Sequence, residues 1–268
     1  MTDTVHAQAD GRDEVLLETV DGVATITLNR PTRKNAMTVA SWSLLGERVA
    51  QVRADPDVRA VVLTGAGGEF CAGADLGGAA DGRHPLDRMG RFTDIALDLY
   101  EMPKPVVAKV DGVAVGAGCN LAIGADLVVA TPRSRFSEIF VRRGLSLDFG
   151  GSWLLPRVVG MQQAKRLALL GEIIDAAEAE RIGMVTWVSP EDEIDAVVTD
   201  LARRLADGPP VAMGLNKQML HEAGTQTLAE ALANEARSQV INFGTDAPAA
   251  KQAFLDKTDP VFEGRWQL

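Results

Sequence analysis

Residues 106–127, VVAKVDGVAVGAGCNLAIGADL, constrain the fold more than any other stretch. They open as a β-branched strand, pass Asp111 and Gly112, and reach the small-residue triplet Gly116, Ala117, Gly118. An apolar run of helical character then carries Cys119, Asn120, Leu121, Ala122 and Ile123 to Asp126. A strand feeding a glycine-rich turn at a helix N-terminus leaves main-chain N–H groups without helical partners. Small side chains let a substrate oxygen come close to them, so the turn can serve as an oxyanion hole. The same residues equally suit a tight strand–helix junction in which glycine serves packing alone.

The remaining segments alternate strands with helices. Residues 14–20 and 23–29 read as strands joined at Asp21 and Gly22, a hairpin signal. Pro31 ends the second strand, and the polar loop Thr32, Arg33, Lys34, Asn35 follows. A helix runs from Thr38 to about Ala54, with Trp42, Leu45, Val49 and Val52 on one stripe. Residues 60–64, AVVLT, form a buried strand before Gly65, Ala66, Gly67 and Gly68. Residues 76–90, with Gly77, Gly78, Gly82, Gly90 and Pro85, read as a loop, either a lid beside a substrate or plain surface, with His84 solvated. A helix at 91–101 leads through Pro103 and Pro105 into the central strand. Beyond it come a strand at 127–130, extended by 134–136, and a helical stretch at 138–143. Residues 150–152 and 153–159 precede a helix at 161–170; 176–182 is helical, 185–188 a strand, and 194–205 an amphipathic helix.

Asp207, Gly208, Pro209 and Pro210 mark the clearest boundary. The chain therefore divides into a tail at 1–12, a core at 13–207 and a helical segment at 208–268. A segment with so little core of its own should pack on the main domain or on another subunit. The net charge of −10, from 37 acidic and 27 basic residues, argues against nucleic acid. No apolar run approaches a membrane span. The first eleven residues lack the basic and apolar regions of a signal peptide. Cys71 and Cys119 give neither a disulfide framework nor metal-ligand spacing and fit a reduced cytoplasm. His6, His84 and His221 are scattered, and none is near a Ser or Cys nucleophile in sequence. Neither Gly116-x-Gly118 nor Gly65-x-Gly67 has the third glycine of a dinucleotide fingerprint.

An ordered set of motifs resembles the crotonase superfamily, the enoyl-CoA hydratase/isomerase family. It comprises Asn29, Arg30, Pro31, Asn35 and Ala36, then FCAGADL at 70–76 and KPVVAKVDG with the following GAG at 104–118. It continues through Gly150, Gly151 and Ser152, AAEAERIG at 176–183, Val185 and AFLDK at 253–257. The resemblance implies an α/β fold, a crotonase-like ββα superhelix with a helical C-terminal segment that caps coenzyme A and trimerises. It also implies an acyl-CoA thioester as substrate and a homotrimer or a hexamer built as a dimer of trimers. No cofactor is expected to be bound permanently; coenzyme A belongs to the substrate.

By the same resemblance, the N–H groups of Ala74 and Ala117 would stabilise a thioester enolate. The family's two hydratase glutamates fall on Asn120 and, in an ungapped alignment, on Phe140. Asn does not titrate usefully and Phe transfers no proton. Glu138 lies two residues off register, which on a helix turns it to another face. A third position does carry a carboxylate, Asp148 in GLSLDFGG, matching a segment in which family isomerases place a proton-shuttling aspartate. Leu147 stands where proline is usual there. Phe140 and Phe149 would desolvate Asp148 and raise its pKa; alternatively Asp148 caps the glycine-rich turn. Coenzyme A contacts would come from Lys34 or Arg33, from the backbone around Ala72, Asp75 and Leu76, and from Phe254 and Lys257. The expected activity is enoyl-CoA isomerisation with Asp148 as proton carrier. The alternatives are enoyl-CoA hydration, or an acyl-CoA-binding protein that has lost its chemistry.

Overall fold

The computed structural model describes residues 14–75, 77, 82 and 84–266; the expected tail at 1–12 lies outside them. The Asp21–Gly22 turn joins β1 (Val15–Val20) to β2 (Val23–Leu28) with φ of 48° and 77°, the left-handed pair that a tight hairpin requires. Thr38 and Ser41 form a reciprocal capping box that starts α1 (Val39–Ala54), whose Trp42, Leu45, Val49 and Val52 are buried as the stripe predicts. After β3 (Ala60–Gly65), α2 (Pro85–Tyr100) begins six residues earlier than the sequence suggests. His84 Nδ1 accepts from the Leu86 N–H, and Pro85 occupies the first helical position. His84 is thus a helix cap, and Gly90 is helical.

The central stretch is two strands, not one. The chain leaves β4 (Val106–Val110), turns at Gly112 with φ of 68°, and enters β5 (Val113–Val115) in a different sheet. Then follow α3 (Ala117–Ile123), β6 (Leu127–Ala130) and β7 (Arg135–Ser137), the last in the sheet of β5 and not an extension of β6. A 3₁₀ turn at Ile139–Arg143 leads to α4 (Gly151–Leu170), which absorbs the two segments expected there and breaks only at Gly160. The core closes with β8 (Ile173–Asp175), α5 (Ala176–Arg181), β9 (Trp187–Val188) and α6 (Ile194–Ala206). Past the predicted boundary come α7 (Pro210–Ala223), α8 (Leu228–Phe243) and α9 (Ala247–Asp256).

One sheet has the order β1-β2-β3-β4-β6-β9, parallel from β2 onward; the other is β5-β7-β8. Ile194, Val198 and Ala202 of α6 cover Val62, Val107 and Val129 on one face of the large sheet. The main core, with α1, α2 and α3, lies on the other face and extends to the small sheet. The two sheets therefore meet at β4–β5, and α3 starts at that seam. An ion pair from Lys217 of α7 to Asp126, at 2.8 Å, ties the C-terminal helices to the core. No helix among the described residues is long and apolar enough to cross a membrane.

Candidate active site

The site is built where residues 71–75 run between β5 and the loop after β2. Cys71 donates its N–H to the Val113 carbonyl at 2.8 Å and accepts from the Val115 N–H at 2.9 Å. On the other side, Ala72 donates to the Lys34 carbonyl at 2.9 Å, Met37 to that of Gly73 at 2.8 Å, and Asp75 to that of Met37 at 2.9 Å. Gly73 has φ of 86°, and a Cβ there would come within 2.7 Å of the Val115 carbonyl. Gly118 of α3 lies so close to Cys71 that a Cβ would overlap its carbonyl oxygen. These two contacts seat the N-terminus of α3 directly on the 71–75 segment.

The main-chain donors follow from this seating. Gly116 precedes α3 with φ of 59° and ψ of −127°, and no side chain caps the helix. Among the described residues neither the Ala117 N–H nor the Ala74 N–H has a hydrogen-bond partner. Ala117 is buried and Ala74 exposed, so the pair spans the rim of the site.

The proton-transfer side is assembled by Asn120. Its side chain is fully buried, and Nδ2 donates to the Asp148 carbonyl at 2.9 Å. Gly151 leaves no room for a Cβ against that amide. The Asp148 carbonyl also accepts the Gly151 N–H at 2.9 Å, so the backbone at Asp148 is fixed twice. Its carboxylate does not cap α4: the cap is Gly150 with no side-chain bond, and Asp148 Oδ1 is buried without a partner. Burial lifts the Asp148 pKa to about 6. Phe149 packs on Trp42 at 4.9 Å, and Phe140 lies beside Gly116.

Glu138 departs from expectation. No helix begins there; the residue precedes the 3₁₀ turn with φ of −87° and ψ of 62°, so the helical offset does not apply. Its side chain is fully buried; no donor meets good hydrogen-bond geometry at either carboxylate oxygen, and Cys119 and Asn120 approach it as weak donors that favour its ionised form. Burial is the main reason its pKa rises to about 7; the Asp148 charge adds to it, while Cys119 and Asn120 oppose it. The sequence did carry a signal: one acidic residue inside FSEIFV, directly after a buried strand.

A cavity of about 340 Å³ opens beside this cluster. Asn120 and Phe149 line it, together with Leu97, Tyr100 and Trp153. Tyr100 and Trp153 meet edge to face at 5.3 Å, and His221 of α7 stacks on Tyr100 at 3.7 Å. A second cavity, near Val62, Lys109 and Asp195, lies under α6 on the far face of the large sheet.

The expected coenzyme A residues separate into two groups. Lys34, Ala72 and Asp75 are brought together with Ala74. The Lys34 ammonium pairs with Glu69 at 3.0 Å. Asp75 accepts the Gly77 N–H at 3.0 Å and pairs with Arg30 at 3.0 Å and Arg33 at 3.6 Å. Those bonds, the Gly77 N–H foremost, hold its carboxyl below the usual range. Leu76 lies outside the described residues. Phe254 is 83% exposed on α9, and Lys257 caps that helix in the left-handed region. No hydrogen bond or ion pair among the described residues joins either to the Lys34–Asp75 group. Cys71 and Cys119 are free, buried thiols. The described residues contain no group of three His, Cys, Asp or Glu suited to a metal.

Comparison with known proteins supplies the context. The family profile described as Enoyl-CoA hydratase/isomerase matches residues 18–265. The 1,2-epoxyphenylacetyl-CoA isomerase of Escherichia coli (strain K12) is 39% identical over 260 residues, covering 94% of this chain and 99% of the relative. The short-chain-enoyl-CoA hydratase of Clostridium acetobutylicum is 34% identical over 252 residues, covering 91% of this chain and 95% of the relative. A solved enoyl-CoA hydratase/isomerase from Cupriavidus metallidurans CH34 superposes with a TM-score of 0.86 at 34% identity, covering 96% of this chain and 98% of that one.

Proposed function

The chain belongs to the enoyl-CoA hydratase/isomerase family, and from that premise we propose that it shifts the double bond of an enoyl-CoA thioester. The thioester oxygen sits between the N–H groups of Ala74 and Ala117. Asp148 removes a proton from the carbon next to the thioester carbonyl of a 3-enoyl substrate. Charge moves onto the thioester oxygen, and the same carboxyl returns the proton at the far end of the allyl unit, giving the 2-enoyl isomer. One base suffices, because the proton that leaves is the proton that comes back. A donor of this kind is worth roughly 3 kcal/mol in enzymes where one was removed. The donors are main-chain groups, so alanine at 117 is no obstacle.

The Asp148 carboxylate is the main support: a buried, unpartnered oxygen on a backbone that Asn120 and Gly151 hold in place. A carboxyl so placed is free to act on substrate and has its pKa near working pH. The isomerase named among the relatives points the same way. Hydration is the second reading, favoured by the hydratase relative and by the second carboxyl, Glu138. A binder without chemistry is the third, favoured by Asn120 and Phe140 at the family's glutamate positions. The acyl group enters the cavity at Asn120, Phe149 and Trp153. Lys34, the backbone of Ala72 and Asp75, and Leu76 take the nucleotide and pantetheine parts. Phe254 and Lys257, exposed on one chain, reach coenzyme A from a neighbouring subunit of a trimer or hexamer. Leu228, Leu232, Val240 and Phe243 of α8 are exposed and supply an apolar face for that assembly.

The deciding experiment is a screen of 2-enoyl- and 3-enoyl-CoA substrates, read separately for isomerisation and hydration. Isomerisation abolished by Asp148→Asn supports the mechanism. Hydration alone, or tight acyl-CoA binding without turnover, moves the choice to the second or third reading.

A further inference from the structure

Phe, Trp and Tyr make up 5% of the chain, yet Tyr100, Phe149 and Trp153 converge on the cavity beside Asn120, and Tyr100 is the chain's only tyrosine. Each of these rings is braced by a flat group that does not itself line the cavity. His221 of α7 stacks on Tyr100 at 3.7 Å with the planes 13° apart. The Arg157 guanidinium lies 3.7 Å over the Trp153 ring, and Trp42 packs on Phe149 at 4.9 Å. Tyr100 and Trp153 also hold each other, meeting at 81°. Core packing accounts for Phe149, which is buried, but Trp153 is exposed and Tyr100 only half-buried. Their uncovered surface is open to whatever enters the cavity. We propose that this cavity selects an acyl group carrying a flat, unsaturated ring on the carbon next to the thioester carbonyl. The inference rests on the double-bond shift proposed above.

Size, position and charge fit such a group. An apolar cavity of about 150 Å³ holds benzene; about 340 Å³ holds a ring with its linker. Ala117, Asn120 and Gly124 are spaced i, i+3 and i+7, so they share one face of α3 and its cap. Asn120 and Gly124 line the cavity, which therefore begins roughly 4.5 Å along the helix from Ala117. Phe149, next to Asp148 in the chain, lines it too. A ring held there contains the far end of the allyl unit. The C–H bond beside the carbonyl breaks, the ring double bond moves one carbon towards the thioester, and the proton returns to a ring carbon. No oxidant or further reactant is needed. Burial keeps the Tyr100 phenol neutral, its pKa pushed up to about 12, and lowers that of His221, so this wall presents no charge to an apolar ring. Aromatic rings attract one another beyond the area they bury. A linear chain of equal carbon count gains none of this and must freeze several bond rotations.

The test titrates the protein by calorimetry with phenylacetyl-, cyclohexylacetyl- and octanoyl-CoA, which share one acyl carbon count and cannot isomerise. Phenylacetyl-CoA should bind about tenfold tighter than octanoyl-CoA. It should bind about threefold tighter than cyclohexylacetyl-CoA, whose puckered ring stacks poorly. Tyr100→Leu and Trp153→Leu each remove a ring and keep the wall apolar, and each should bring the affinities to within about threefold of one another. Trp153 is exposed, so its variant should fold even if that of Tyr100 does not. Octanoyl-CoA binding as tightly as phenylacetyl-CoA would overturn the proposal, as would a ring preference that Trp153→Leu leaves intact. Turnover of 3-octenoyl-CoA and cyclohex-1-enylacetyl-CoA is measured separately. Ring-selective binding by a protein that shifts neither double bond supports the cavity assignment and removes the function proposed above. Isomerisation of 3-octenoyl-CoA without ring-selective binding supports that function and overturns the cavity assignment.

Discussion

The two halves of the site are built in opposite ways. Around Ala74 and Ala117 almost every polar group is committed to backbone pairing, and Gly73 and Gly118 sit where no larger residue fits. The Asn120 and Glu138 side chains are fully buried, and four oxygens on these residues and Asp148 have no partner at good hydrogen-bond geometry. The first half resembles a sheet edge: backbone geometry decides it and side-chain identity hardly matters. The second half rests on side chains: a buried amide and two carboxyls whose pKa values burial raises. Within one fold, charge stabilisation can therefore stay constant while the proton chemistry is rewritten by a few side chains. The family's range of isomerases and hydratases fits that division.

The sharpest way to break this contrast is to alter the proton side alone. Asp148→Asn preserves shape and the backbone bonds to Asn120 and Gly151, so folding should hold. Isomerase kcat should drop about a thousandfold, within the range for removing a general base. Stopped assays with 3-enoyl-CoA measure it, and unchanged turnover would show that the carboxylate is idle. Next in size is a change to the backbone side. Gly118→Ala places a Cβ into the Cys71 carbonyl and must push α3 off the 71–75 segment. We expect roughly a hundredfold loss of kcat, comparable with losing one oxyanion donor. Overpacking should also cost about 1–3 kcal/mol in stability, read by denaturant unfolding. If turnover survives while stability falls, the two N–H groups are not the catalytic donors.

A third measurement needs no substrate. The folded-state pKa of Glu138 is raised from 4.5 to about 7, and that of Asp148 from 3.8 to about 6. The folded chain thus keeps protons that the unfolded chain releases. Their contribution is full below the unfolded values and is lost as pH climbs through the folded ones. Stability should fall between about pH 4 and 7, by on the order of 3 kcal/mol for Glu138. His221, whose pKa is lowered mainly by burial, works in the other direction in part of that window. The difference between wild type and Glu138→Gln isolates the carboxyl: the variant should show a flatter decline in Tm. Equal slopes would mean that Glu138 is ionised when folded.

Why the sequence revealed one half more readily than the other follows from the same contrast. Alternation, capping signals and the Asp21–Gly22 turn are local, and they located β1, β2, α1, β3 and the later helices. The glycine motifs at 73 and 116–118 are short because the backbone geometry they serve is local too. What stayed hidden depends on contacts far apart in the chain. The switch of sheet between Val110 and Val113 requires Arg135–Ser137 as partner, which no local pattern announces. The N-terminal extension of α2 depends on His84 as its cap, and on Gly90, which reads as loop in the sequence but lies inside the helix. In the sequence Glu138 reads as a helix-face residue because its neighbours look helical; it precedes a 3₁₀ turn instead, and its side chain is fully buried. Its pKa and lack of partners arise only when α3 and the 144–151 segment close around it.

The smallest expected effect tests whether the backbone side continues into coenzyme A recognition. Lys34 is held in the left-handed region and pairs with Glu69 at 3.0 Å, but its side chain is 59% exposed. An ion pair so open to solvent is worth about 1 kcal/mol at most, so the ammonium can exchange Glu69 for a phosphate at little cost. Lys34→Ala should therefore raise KM for a coenzyme A thioester about threefold to tenfold and leave kcat near its starting value, as loss of uniform binding does. The increase should shrink as salt rises, because screening weakens an exposed phosphate contact. Thioesters of pantetheine, which carry no phosphate, make the internal control: their KM should not respond to Lys34→Ala. A matching increase for both substrates would place the effect in the loop backbone, where the Lys34 carbonyl receives the Ala72 N–H, and would take the phosphate role away from this side chain.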